Sequence, residues 1–126
     1  MSVRSVLAMV VVAVGVLGVA PGAQAAPLPL TPQSQQNAVR SAKDYLDMAG
    51  YSRTGLIKQL QYEGYSVADA TYAVDSLNVD WNAQAVRSAK DYLDMSGYSH
   101  SGLVKQLMYE GYTAAQAEYG VSAVGL

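Results

Sequence analysis

The chain has 126 residues with a formal net charge of −2, no cysteine and one histidine. A chain of this length forms one small domain or two very small ones. The acidic balance argues against a polyanionic partner such as nucleic acid, and the lack of cysteine excludes disulfides and, with a single histidine, a zinc site of the usual nitrogen and sulfur ligands.

Residues 1–25 have the pattern of a signal peptide. Arg4 supplies a positive charge, Val6 to Ala20 is apolar, and Ala23 to Ala25 has the small-x-small form that a signal peptidase cleaves. Glycines and a proline interrupt the apolar run, so a membrane-spanning helix is the less favoured interpretation. We expect a mature protein that begins at Ala26, has no transmembrane helix, and is secreted or extracellular, with association to the cell envelope as a further option.

The next segment predicts an extended lead-in followed by a helix. Pro27 and Pro29 favour an extended, mobile backbone over residues 26–30. Thr31 as N-cap and Pro32 at the first helical position open a helix that ends near Met48. Apolar residues recur within it three and four positions apart, which is the period of an amphipathic helix.

Two shorter helices follow. Ser52 caps the second helix, and Gly64 is placed to end it in the left-handed conformation. Ser66 to Asp69 resembles a capping box at the start of the third helix, and Thr113 to Gln116 takes the same place later in the chain. No stretch alternates with a period of two over the length of a strand, so the predicted fold class is all-α.

Most of this pattern is duplicated. Asn37 to Leu77 and Gln84 to Val124, which lies 47 positions later, share 27 of 41 residues, a similarity that marks duplication of a structural unit. The sequence therefore predicts two tandem three-helix repeats of helix-turn-helix-like order, residues 31–77 and 84–126. A short linker at residues 78–83 joins them, with Asp80 as the N-cap of the fourth helix. Each repeat is near the lower size limit for independent folding, so we expect the two to bury surface against each other.

Trp81 is the only tryptophan of the chain, and Ser34 takes its place in the first repeat. An aromatic residue found only at the junction is suited to fill the groove where two repeats meet. The other interpretation is an exposed ring that stacks on a ligand, because tryptophan is enriched at binding hot spots.

The ten tyrosines all obey the 47-residue offset, which predicts the same role in both copies. Tyr45 and Tyr72, with their copies, fall on apolar stripes and are predicted to lie in the core. The tyrosines at the turns either cover helix junctions of a small module or contact a partner, since tyrosine is a favoured recognition residue. The candidate binding residues are Tyr51, Tyr62, Glu63, Tyr65, Trp81, Tyr98, Tyr109, Glu110 and Tyr112.

Catalytic chemistry has little support in the sequence. The copy of His100 is Arg53, so the duplicated unit was not built around an imidazole. The repeated carboxylates Asp44 and Asp47 lie on a helix face that suits exposed ion pairs with basic residues four positions before them. Glu63 lies near a helix end, where hydrogen bonding to a loop explains it equally well. We expect no enzyme, no catalytic residue, no metal and no cofactor.

The helix order invites comparison with DNA-binding helix-turn-helix motifs, which insert one helix into the major groove. Val67 to Leu77 and Ala114 to Val124, the third helices of the two repeats, contain no Lys or Arg. Because phosphate neutralisation by basic side chains supplies much of the affinity for DNA, we expect no nucleic-acid partner.

The motifs together resemble a known family. Ser41 to Met48 (Ser-Ala-Lys-Asp-Tyr-Leu-Asp-Met), the stretch Gly55 to Tyr65 and Asp80-Trp81-Asn82 are similar to the tandem repeat of the Ltp-type host cell surface-exposed lipoproteins. The resemblance runs from about Gln33 to Val121. It implies an all-helical surface protein that acts in superinfection exclusion, blocking DNA injection by an incoming phage through a protein partner in the injection apparatus.

One departure from the family pattern bears on localisation. The family's lipoproteins carry a cysteine after the signal for lipid attachment, whereas Ala26 follows the expected cleavage site here. We therefore expect no lipid anchor. A second function stays open, in which the tyrosines bind a cell-envelope component, such as wall glycan or peptide, and the two repeats add their affinities.

Overall fold

The computed structural model describes residues 32–126, which form six α-helices and no strand. The helices are α1 Pro32–Met48, α2 Arg53–Tyr62, α3 Val67–Ser76, α4 Trp81–Met95, α5 His100–Tyr109 and α6 Ala114–Ala123. This confirms the all-α fold and the tandem three-helix repeats. The expected signal peptide, the extended segment and the Thr31 cap lie outside the described residues. None of the six helices has the length and apolar character needed to span a membrane.

The helices begin at polar caps that the sequence predicted. Ser52 Oγ accepts a hydrogen bond from the Gly55 amide at the start of α2, and Asp80 accepts two from the first turn of α4. At α6, Thr113 and Gln116 form a complete capping box. These bonds satisfy amides that have no partner within the helix. Because α4 begins at Trp81, the last three residues of the predicted linker are helical.

The cap of α3 is only half of the predicted capping box. Ser66 Oγ accepts from the Asp69 amide at 3.0 Å, but the Asp69 carboxylate accepts from Ser34 on α1 instead of returning to the Ser66 amide. This carboxylate is buried at 6% exposure, and its Oδ1 has no partner among the described residues. The side chain thus ties α3 to α1 within the first repeat.

Each repeat has its own small hydrophobic core. The fully buried apolar residues of repeat 1 are Ala38, Ala42, Leu56, Leu60, Ala70, Ala73 and Val74, and those of repeat 2 are Ala85, Ala89, Leu103, Leu107, Ala117 and Val121, with Tyr112 nearly buried beside them. Every member of the second set except Tyr112 is the copy of a member of the first. The small residues lie on the first and third helices of each repeat, which lets those helices approach closely around the leucines of the second.

The turn between α1 and α2 packs against α4 and forms half of the contact between the repeats. The Tyr51 amide donates to Gln84 Oε1 at 3.1 Å, and Arg87 Nη1 donates to the Leu46 carbonyl at 2.6 Å. Arg87 therefore satisfies a carbonyl at the end of α1, where a helix carries partial negative charge. Gly50 lies so close to α4 that an added β-carbon would be 2.7 Å from Ser88 Oγ.

The start of α2 makes the other half of the contact with the turn between α5 and α6. Ser52 Oγ donates to the Glu110 carbonyl at 2.7 Å, and Thr54 Oγ1 donates to the Gly111 carbonyl at 3.2 Å. Ser52 is 2% exposed as a result. These bonds confirm that the two repeats bury surface against each other.

Trp81 lies at this junction. It is the first residue of α4, yet its side chain is partly buried and packs against the core of repeat 1. The sequence left two roles open for Trp81, and the structure shows the one in which the ring fills the junction. The ring thus links the second repeat to the first next to the short connection between α3 and α4.

Candidate functional site

A tyrosine and glutamate cluster lies at one end of repeat 1. Tyr45 OH donates to Glu63 Oε2 at 2.7 Å, and Gln59 Nε2 donates to the same phenol oxygen at 3.4 Å. The Tyr51 ring meets the Tyr45 ring edge to face, with centroids 5.7 Å apart and an interplanar angle of 70°. This geometry is favourable for aromatic pairs. Glu63, a candidate binding residue, therefore orders an internal network.

Repeat 2 reproduces this cluster. Tyr92 OH donates to the Glu110 carboxylate, and Gln106 Nε2 donates to Tyr92 OH at 3.2 Å. The Tyr98 ring lies edge to face on Tyr92 with a centroid distance of 5.6 Å and an angle of 77°. Tyr51 and Tyr98 are thus half-buried supports of the cluster, and each keeps part of its ring in contact with solvent.

The turn that follows the second helix of each repeat presents one tyrosine to solvent. Tyr62 is 89% exposed and Tyr109 is 86% exposed. Each is followed by a glutamate and by a glycine with positive φ, 111° at Gly64 and 108° at Gly111, the left-handed conformation that ends a helix at low cost. This confirms the predicted role of Gly64. The same turn therefore holds Tyr62 and Tyr109 outward in both repeats.

The next tyrosine of the turn differs between the copies. Tyr65 is half-buried and shares a hydrogen bond of 3.2 Å with Ser41. Tyr112 is only 3% exposed, shares a hydrogen bond of 2.8 Å with Ser88 and donates to the Gln84 carbonyl at 3.0 Å. The prediction of equal roles in both copies is therefore wrong for this pair, and the Tyr112 ring is closed to a partner.

The phenols of Tyr45 and Tyr92 remain protonated at neutral pH. Burial is the main cause that raises the pKa of Tyr45 and Tyr92, and hydrogen bonds to Glu63 and Glu110 raise the pKa of each further. Burial also raises the pKa of Tyr112 to about 12. A general base for reactions near pH 7 needs a pKa close to that pH, so these phenols serve as hydrogen-bond donors. Within residues 32–126, no group of three or more His, Cys, Asp or Glu side chains could hold a metal ion.

Two sequence predictions are corrected by the structure. Tyr72 and its copy Tyr119, predicted to lie in the core, are 48% and 53% exposed, because the small residues next to them on α3 and α6 fill the core face.

The ion pairs of the described residues also differ from those predicted for α1. They join Arg53 with Asp75 at 2.8 Å and His100 with Glu118 at 3.0 Å.

Sequence reasoning missed the residues that join the repeats. Gly50, Ser52 and Arg87 make the contacts described above, but each is identical to its copy 47 positions away, where the same contact is not made. The sequence difference that marked the junction was Trp81 in place of Ser34. Sequence identity between the copies thus hid which surfaces are covered.

Six helices in two three-helix repeats, with separate cores and a shared polar contact, define a tandem-repeat helical module. The chain belongs to the family of host cell surface-exposed lipoproteins, whose model matches residues 33–77 and again residues 80–124. The family is described by its exposure on the host cell surface, which agrees with the resemblance inferred from the sequence motifs. None of the curated proteins matches the chain.

A solved structure has the same architecture. The chain is similar to Ltp, a superinfection exclusion protein from the Streptococcus thermophilus temperate phage TP-J34. The two are 32% identical and superpose with a TM-score of 0.68, over 73% of this chain and 96% of the other. The match thus spans nearly the whole of that solved chain.

Proposed function

We propose that this protein is a non-enzymatic binding module at the cell surface that acts in superinfection exclusion, by binding a protein of the phage injection apparatus. The observation that carries the proposal is the match of both repeats to the family, together with the similarity to the solved chain of a superinfection exclusion protein over 96% of that chain. The net charge of −2 favours recognition of a protein over recognition of nucleic acid.

The proposed contact surface is formed by Tyr62 and Tyr109 together with Tyr51 and Tyr98, the half-buried rings of the two tyrosine and glutamate clusters. A solvent-exposed tyrosine offers apolar area and a hydrogen-bonding tip at a low cost in conformational entropy. The glutamates do not contact the partner in this proposal, because their carboxylates hold Tyr45 and Tyr92 in place. Each repeat therefore presents one highly exposed tyrosine, Tyr62 or Tyr109, to the partner.

The experiment measures infection of cells that export the protein by a panel of phages. For a sensitive phage, we expect adsorption to stay normal while entry of phage DNA and plaque formation fall. Replacing both Tyr62 and Tyr109 by Ala should restore infection, since a tyrosine at a binding hot spot contributes about 2 kcal/mol or more. Unchanged infection across a broad panel would count against superinfection exclusion.

The matched control replaces Tyr72 and Tyr119 by Ala. These tyrosines are also a repeat-related pair and are about half exposed, but they lie on α3 and α6, away from the proposed surface. Exclusion should persist in this variant. Equal loss of exclusion in both double variants would argue against a specific role for the turn tyrosines.

A second candidate, binding to wall glycan or peptide, uses the same exposed tyrosines. Two linked sites gain affinity through their effective concentration, and Tyr62 and Tyr109 satisfy that condition. Sedimentation of the protein with purified cell wall separates the candidates, because exclusion of a phage does not require retention on the wall. Retention that is lost on replacing Tyr62 and Tyr109 would favour the second candidate.

A further inference from the structure

The two repeats bind each other through different surfaces. Repeat 1 contributes its turn surface, formed by the Leu46 and Asp47 carbonyls, Gly50, Tyr51, Ser52 and Thr54. Repeat 2 contributes its receiving surface, formed by Gln84, Arg87, Ser88, Glu110 and Gly111. A contact between unlike surfaces leaves one surface of each partner unpaired. The receiving surface of repeat 1 and the turn surface of repeat 2 are therefore not used by the contacts among residues 32–126.

The receiving surface of repeat 1 keeps the chemistry of its copy. It consists of Asn37, Arg40, Ser41, Glu63 and Gly64. Gly64 and Gly111 have nearly the same φ, 111° and 108°, so the backbone of the turn has the same conformation. An added β-carbon at Gly111 would meet Thr54 and Ser52, whereas no described residue lies within 4 Å of the same point at Gly64. Arg40 is exposed where Arg87 is half-buried.

The turn surface of repeat 2 is likewise open. It consists of the Leu93 and Asp94 carbonyls, Gly97, Tyr98, Ser99 and Ser101. Ser99 caps α5 by accepting from the Gly102 amide at 3.0 Å, as Ser52 caps α2, but Ser99 is exposed and Ser52 is buried. An added β-carbon at Gly97 would have no neighbour within 4 Å in the part of the chain that the structure describes. Hydroxyl groups are present at the positions of both Ser52 and Thr54.

We propose that two molecules of this protein associate head to tail, with the turn surface of repeat 2 in one molecule bound to the receiving surface of repeat 1 in the other. The contact repeats the one made inside each chain. Ser99 Oγ donates to the carbonyl of Glu63, Ser101 to that of Gly64, and Arg40 to carbonyls at the end of α4. A contact of this kind either adds further molecules or closes into a ring.

The association is weaker than the internal contact for three reasons. Ser34 stands at the position of Trp81, so no indole ring fills the junction. Asn37 is one methylene shorter than Gln84, whose amide oxygen accepts from the Tyr51 backbone. The internal contact also benefits from the linker, since a short tether holds two groups at an effective concentration of about 1 mM. The contact between molecules lacks this advantage, so its extent should depend on the protein concentration.

The inference does not depend on the proposed function, because it concerns only the fit of the chain to itself. Other occupants of the receiving surface of repeat 1, such as a foreign protein or the residues that precede Pro32, would leave the purified protein monomeric. They are therefore distinguished from a second copy by the mass in solution.

Sedimentation and light scattering across a range of protein concentrations test the association. We expect the average mass to rise above that of the monomer with increasing concentration. Gly97→Val should abolish the rise without lowering the melting temperature, because its side chain has space in the single molecule but meets Ser41 across the contact. Asn37→Gln should shift the rise to lower concentration. A constant monomer mass in the original protein, or an unchanged rise in Gly97→Val, would overturn the proposal.

A cysteine pair gives an independent test, since the chain has no cysteine of its own. A β-carbon at Gly50 would lie 2.7 Å from Ser88 Oγ, so the two β-carbons would be about 4 Å apart, within the range of a disulfide. The intermolecular equivalents are Gly97 and Ser41. Mixing Gly97→Cys with Ser41→Cys under mild oxidation should give mostly the mixed dimer. Lys105→Cys replaces Gly97→Cys in the control, and equal yields in the two mixtures would contradict the proposed contact.

Discussion

The two repeats place identical residues in different surroundings. Ser52 is 2% exposed and makes a bond to the other repeat, while Ser99 is exposed and, within residues 32–126, caps α5 without such a bond. Gly50 is crowded by α4, while Gly97 has open space. The folding of each repeat depends on its own sequence, but the burial of its surface depends on which side the neighbouring repeat covers. Substitutions made in matched pairs separate these two effects.

The largest difference is expected at the glycine pair. Gly50→Ala should lower the free energy of unfolding by about 1–3 kcal/mol, because the added methyl would also lie 3.0 Å from the Gln84 carbonyl oxygen, which cannot rotate away. Gly97→Ala should change it by no more than about 0.5 kcal/mol. Urea unfolding followed by circular dichroism measures both. Equal effects would mean that the repeats are not packed as described.

The serine pair should show a smaller difference. Ser99→Ala removes an N-cap, at a cost of about 1 kcal/mol. Ser52→Ala removes the same kind of cap and also leaves the Glu110 carbonyl without its donor, which adds about 1 kcal/mol. The unfolding free energies of the two variants give the comparison, with Ser101→Ala as the control for an exposed hydroxyl. If Ser52→Ala were no more harmful than Ser99→Ala, the bond to Glu110 would contribute nothing to stability.

The buried tyrosine predicts a difference at alkaline pH. Tyrosine in an unfolded chain ionises near pH 10, whereas burial raises the pKa of Tyr112 to about 12. The stability that Tyr112 contributes is therefore complete below pH 10 and is lost as the pH rises toward 12. Tyr112→Phe should flatten this loss more than Tyr65→Phe does, as measured by unfolding at a series of pH values. A flatter profile in Tyr65→Phe would reverse the assignment.

The smallest effect concerns the exposed ion pairs. A hydrogen bond to the Leu126 carbonyl is the main cause that raises the pKa of His100, and a hydrogen bond to Glu118 raises it further. The stability that these bonds contribute is present below pH about 6.5 and is lost as the pH rises through the raised pKa. The hydrogen bond from Arg53 lowers the pKa of Asp75. The ion pair between Arg53 and Asp75 is therefore lost only when acid protonates the carboxylate. An NMR titration should show a lower His100 pKa in Glu118→Gln and no change in Asp75→Asn. An unchanged pKa in the first variant would exclude the pair in solution.

The local structure could be predicted from the sequence because its causes are local. The caps at Ser52, Asp80 and Thr113 and the left-handed Gly64 depend on residues within a few positions of each other. The family was also identified from its motifs, which extend through both repeats. Trp81 indicated where the repeats meet, since it had no aromatic counterpart.

The site was less predictable because its causes are distant in the chain. Tyr65 and Tyr112 both follow a Tyr-Glu-Gly sequence, yet one ring is half-buried and the other is buried. Tyr72 lies on an apolar stripe, but alanines of the same helix occupy the core. Helical periodicity does not show which residues of a stripe are the most buried. The assignment of Tyr62 and Tyr109 to a binding surface stays a prediction.

The hydrogen bonds between the repeats also fix the distance between the exposed tyrosines Tyr62 and Tyr109. Ser52 and Thr54 bind the start of α2 to the turn after α5 through hydrogen bonds. Tyr62 and Tyr109 therefore belong to two repeats that are packed together, and not to two domains joined by a flexible linker. A target with two attachment points at the matching spacing pays little entropy to engage both, while one with a different spacing engages a single repeat. The fixed arrangement of the two repeats therefore makes the molecule selective for the geometry of a target as well as for its chemistry.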